Sequence, residues 1–68
     1  MLSTTPYENA FNKHFRLYRE AQKSTHVSAI RQHDMAIEKI YKFMRKHGQQ
    51  LNGTEREGFI FEPDPDAK

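Results

Sequence analysis

The chain has no cysteine and no tryptophan, and only three glycines and three prolines in its 68 residues. Without cysteine there is neither a disulfide framework nor a thiolate zinc site to hold a small fold together. No apolar run approaches the ~18 residues of a membrane span. The opening MLSTTPYENAF lacks the basic region and apolar core of a secretory signal, so the expectation is a soluble, cytoplasmic protein. A chain this short makes one small domain whose apolar burial alone does not offset its conformational entropy. A second copy or a partner protein is the usual remedy.

Charge of either sign is present but unevenly placed. Residues 1–53 carry nine Lys/Arg against four Asp/Glu, a net of +5, whereas residues 54–68 carry two against five, a net of −3. The body is basic and the tail acidic, an organisation in its own right.

The most regular stretch is THVSAIRQHDMAIEKIYKFMRKHG, residues 25–48. At ~100° per residue, Val27, Ile30, Ile37, Tyr41 and Met44 share one stripe, widened by Ala29, Ala36, Ile40 and Phe43. Ser24 or Thr25 is placed to cap its start. Gly48 sits where a left-handed stop belongs, and Lys42, Arg45, Lys46 and His47 complement the negative end of the dipole. This predicts a helix over about 26–47. Upstream, Thr5-Pro6-Tyr7-Glu8 has the form of a capping box with proline at the first helical position. Tyr7, Phe11, Phe15 and Tyr18 then run down one face, giving a first helix over about 6–23.

On one continuous rod the stripes ending at Tyr18 and starting at Ile30 would lie ~120° apart. A turn at Lys23-Ser24-Thr25-His26 and an antiparallel hairpin resolve the mismatch. With the turn centred near Ser24, Phe11 faces Ile37, Tyr7 faces Tyr41, and His14 faces Asp34. Beyond Gly48 the helical pattern dissolves. Asn52-Gly53-Thr54 reads as a turn, Gly58-Phe59-Ile60-Phe61-Glu62 as a short extended run, and the proline-broken end from Pro63 as disordered. The apolar triplet at 59–61 either folds back over the hairpin, crosses to a sister chain, or docks a partner. Folding back is the expectation, with Phe59 and Phe61 buried and Ile60 pointing away.

Few constellations carry chemistry. His33-Asp34 echoes the pair of metal phosphohydrolases, but their further ligands have no room here. His26, His33 and His47 lie two or more turns apart, unlike ligands of one metal. His14 with Asp34 reads as a solvated acid, a register-fixing polar pair, or an acid–base pair lacking a nucleophile. No catalytic, cofactor or metal residue is assigned. The stripe of Lys39, Lys42 and Lys46, interleaved with aromatics, reads as a solvated face, a surface for an acidic protein patch, or a phosphate track, with Glu38 neutralising part of it.

The reading is therefore all-α: an antiparallel two-helix hairpin over 1–53 with an extended, acidic C-terminal arm over 54–68, ordered to about residue 62. The hairpin dimerises into a four-helix bundle through Phe11, Phe15, Tyr18, Ile30, Ile37, Tyr41 and Met44. In size and layout the chain is similar to small helical proteins with which bacteriophages inhibit host regulators or defence systems, a likeness of architecture that carries over no residue. The expected function is non-enzymatic: binding, and so inhibiting or redirecting, a larger protein through Lys39, Lys42, Phe43, Arg45, Lys46, Phe59 and Phe61. The alternative is a small basic nucleic-acid-binding regulator.

Overall fold

The computed structural model describes residues 3–66. Two helices, α1 (Thr5–Ser24) and α2 (Val27–Lys46), form an antiparallel hairpin, followed by two antiparallel strands, β1 (Gln49–Thr54) and β2 (Gly58–Pro63). The architecture is thus mixed α and β, which corrects the all-α expectation. Gln49–Thr54 was the missed element: its polar sequence has no strand alternation, and tertiary context makes it a strand by pairing it with the apolar run at 58–63. Asn52 and Gly53 accordingly lie in β1 rather than in a turn, and the reversal falls at 55–57, where the Thr54 hydroxyl accepts the Glu57 amide at 3.1 Å. Gly53 adopts φ +88°, and a Cβ there would meet the Gly58 carbonyl oxygen at 2.5 Å, so this position requires glycine.

The helix ends are built differently from their sequence signals. Thr25, expected to cap α2, instead closes α1 in the left-handed region (φ 55°, ψ 30°). The Thr25 amide donates to Gln22 O at 3.3 Å and the His26 amide to Ala21 O at 3.1 Å, the hydrogen-bond pattern of a Schellman stop. His26 opens α2 without a side-chain cap. The Thr5–Glu8 capping box does not form either, because Thr4 is the flanking residue and the Glu8 carboxylate is directed to the sheet. Gly48 does take the left-handed conformation at the end of α2, with φ 75°.

The sheet lies against the open end of the hairpin. Phe11, Met44 and Phe61 are buried at its centre, with Tyr7, Phe15, Ile37, Ile40, Leu51 and Phe59 packed around them. Phe61 and Phe59 meet the Phe11 ring edge-on, at centroid distances of 5.5 and 5.3 Å. Ile60, one residue out of phase, is exposed on the far face. The stripe expected to join two hairpins is therefore covered by the chain's own strands: Met44 is wholly buried and Ile37 packs in the same core. The chain does not fray at Pro63. The Asp64 amide donates to Gly48 O at 2.9 Å and its carboxylate pairs with Arg45 at 3.0 Å. Of the segment expected to be disordered, Ala67 and Lys68 lie outside the described residues.

Candidate functional site

What α1 contributes is a clamp on the sheet. Asn12 and Glu8, one turn apart, face the outer edge of β2. The Asn12 carboxamide accepts the Phe59 amide at 2.7 Å and donates to Phe59 O at 2.8 Å, while its second hydrogen returns to Glu8 O at 2.9 Å. Glu8 Oε1 accepts the Phe61 amide at 3.0 Å. One side chain thus satisfies both backbone groups of Phe59, as a third strand would. The sequence reading gave Glu8 to the Thr5 capping box and did not mark Asn12. The available signal was an asparagine inside an amphipathic helix, a poor helix former with a reason to be elsewhere.

Across the hairpin His14 meets His33, not Asp34, with Nδ1 atoms 3.0 Å apart and both residues half-buried. A one-residue error in register turns a helix by ~100°, enough to exchange neighbours. Asp34 is exposed. Tyr7 likewise stacks on Phe43, at 5.1 Å between ring centroids, rather than on Tyr41, which is 40% exposed.

The residues expected to meet a partner divide into two groups. Phe59 and Phe61 belong to the core, Arg45 holds Asp64, and Lys42 Nζ lies 2.9 Å from Glu38 Oε1. The hydrogen bond and charge of Lys42 lower the Glu38 carboxyl below its ordinary range, and Glu38 raises the Lys42 ammonium. Lys39 and Lys46 remain exposed, as does Phe43 in part. Of the expected dimer residues, Phe11 and Met44 are buried, Phe15 and Ile37 pack beside them, and Tyr18 and Ile30 are half-buried near the turn.

The side of α2 turned away from the core carries Met35, which the sequence reading passed over, and Val27, which it placed on the apolar stripe. Among the described residues these are the most exposed large apolar side chains, at 63% and 69%; Val27, at the first position of α2, lies beyond the reach of the core. They are two turns apart on one face, with Arg31 between them and Lys39, Lys42 and Lys46 continuing it. Met35 separates two shallow depressions of about 400 and 380 Å³, one shared with Val27 and Arg31, the other with Lys39 and Lys42. Among the described residues no carboxylate pairs with Arg31, Lys39 or Lys46. The sign that Met35 is special was its absence from the apolar stripe: a large apolar residue out of phase is exposed.

A further cleft of about 390 Å³ between α1 and the β1–β2 turn is lined by Lys13, Arg16, Glu55, Arg56 and Phe59 among others. Its charges alternate, and Glu55 is held by Arg19 at 3.0 Å. Among the described residues no group of three metal-ligating side chains occurs, and no helix is long and apolar enough to cross a membrane. No family model, curated protein or solved structure matches the chain.

Proposed function

We propose that the protein is a non-enzymatic, dimeric regulator that binds a larger protein through the outer face of α2, and so inhibits or redirects it. The observation that carries this reading is Met35 standing exposed between two depressions, flanked by Arg31 and Lys39, which pair with no acid among the described residues. An unbranched, polarizable side chain suits a docking contact, because it adapts to the pocket it enters. The surrounding Arg31, Lys39 and Lys46 select an acidic rim on the partner and speed its approach. The partner chemistry is thus an apolar pocket or groove bordered by Asp and Glu.

The test is an affinity capture with three baits: the wild-type chain, Met35→Glu, and Lys39→Glu. A partner retained by the wild type in high salt, lost with Met35→Glu and weakened with Lys39→Glu, supports the reading. The same partner held equally by all three baits overturns it. The nucleic-acid alternative rests on the stripe of Lys39, Lys42 and Lys46 and ignores Met35. It requires retention on a DNA column that falls steeply with salt and is unchanged in Met35→Glu.

A further inference from the structure

The two edges of the sheet are treated differently. In the antiparallel pair, Gly48 with Asp64 exchanges a ladder bond, so the even-numbered residues of β1 bond β2 and the odd-numbered ones turn their amides and carbonyls outward. On β2 the outward residues are Phe59, Phe61 and Pro63. The first is closed by Asn12, the second has its amide taken by Glu8, and the third has no amide to offer. On β1 they are Gln49, Leu51 and Gly53. The Gly53 amide is taken by Asn52 Oδ1 at 2.8 Å, but among the described residues nothing bonds the outward groups of Gln49 and Leu51. β1 also lacks proline and charge, the usual devices that blunt an edge strand.

We infer that a second copy of this chain pairs with this edge, β1 to β1 and antiparallel, about a two-fold axis at Leu51. In that register the two Leu51 residues exchange both backbone bonds, and Gln49 of each copy stands opposite Gly53 of the other. The strands meet without like charges, since Gln49–Thr54 has none. The helix beneath agrees. A strand advances ~3.3 Å per residue and a helix ~1.5 Å, so Leu51 stands over α2 near residues 39–41. The axis therefore sets α2 residues whose numbers sum to about 80 against each other. On the flank of α2 away from α1, Asp34 precedes Tyr41, and Arg45 follows it and reaches Asp64. The opposite flank, with His33 and Phe43, is occupied by α1. Across the axis Asp34, which has no cation of its own among the described residues, falls opposite Arg45 of the second copy, with the exposed Tyr41 side chains at the centre. The flank is self-complementary in charge. The product is one four-stranded sheet, β2-β1-β1-β2, with all four helices on one face. This replaces the four-helix seam as the basis of the proposed dimer, and only the dimer clause of the proposed function enters it.

Sedimentation equilibrium from micromolar to millimolar concentration, combined with amide exchange, tests it. The wild type should approach twice the 8.1 kDa chain mass. Protection of the Leu51 amide should rise with concentration while that of Phe59 stays constant. Gln49→Pro removes an outward amide that bonds nothing among the described residues, and Asp34→Arg opposes Arg45 across the axis. Each should weaken association at least tenfold with the helical circular-dichroism signal intact. A single-chain mass throughout, a dimer constant that neither variant changes, or Leu51 protection that appears only when a different protein is added would each overturn the inference. All three leave the Met35 face to stand or fall on its own test.

Discussion

The two ends of the helix pair are built to different rules. At the end where α1 begins and α2 stops, the sheet roofs both helices, and Phe11, Met44 and Phe61 are enclosed on all sides. Beyond Arg19, which still reaches Glu55 in the turn of the sheet, the helices have only each other, and Tyr18 and Ile30 are half-buried. The contrast teaches that a two-helix hairpin cannot bury a wide apolar stripe unaided, and that here the chain's own arm supplies the missing layer.

The comparison breaks first at phenylalanine. Phe61→Ala should cost about 3–5 kcal/mol in chemical denaturation, since a large fully enclosed ring leaves a cavity. Tyr18→Ala at the bare end should cost roughly 1 kcal/mol, in keeping with partial burial. Equal costs would mean the two ends are not different. Next is the clamp: Asn12→Ala strands the Phe59 amide and carbonyl and should lower stability by about 2–3 kcal/mol. The loss should come with faster exchange of the Phe59 amide and no faster exchange in α1, because alanine is the better helix former.

The turn is strained, and relieving it should help. Thr25 is β-branched yet left-handed, a conformation asparagine tolerates better, so Thr25→Asn should raise the melting midpoint by the equivalent of about 1 kcal/mol. The smallest effect belongs to the outer face of α2. Glu38 titrates below its ordinary range because of Lys42, so its support is present above the unfolded carboxyl pKa and fades as pH falls through the lowered one. Both groups are fully exposed, and Glu38→Gln should leave the melting curve at neutral pH unchanged within error. A measurable fall would mean the outer face contributes to the fold rather than being free for a partner.

Much of this was legible in the residues. The periodicity of 27–44 defines α2, the phase mismatch between Tyr18 and Ile30 demands the turn, and the alternation of Phe59, Ile60 and Phe61 states which two go inside. Three features were not legible, for separate reasons. β1 has no pattern of its own, because Gln49 to Thr54 are made a strand by their partner. The neighbour of His14 depends on register to a single residue, which propensity does not resolve. Thr25 scored as a helix start because a hydroxyl beside an apolar run is usually one, whereas the reversal claimed its backbone instead. For the candidate site, Lys39 and Lys46 were visible as free cations. Met35 was missed because it lies out of phase with the apolar stripe that defines α2.

The claim beneath all of this is that residues 49–64 are a folded layer of the core, so that the apolar stripe of α2 is closed within the chain and its opposite face is what a partner meets. Amide hydrogen exchange on the full-length protein at low concentration tests it most directly. The account predicts that the Phe59 and Phe61 amides, held by Asn12 and Glu8, exchange as slowly as the amide of Met44 in the middle of the core. Exchange of Phe59 and Phe61 at the rate of a free tail, with Met44 still protected, would contradict it.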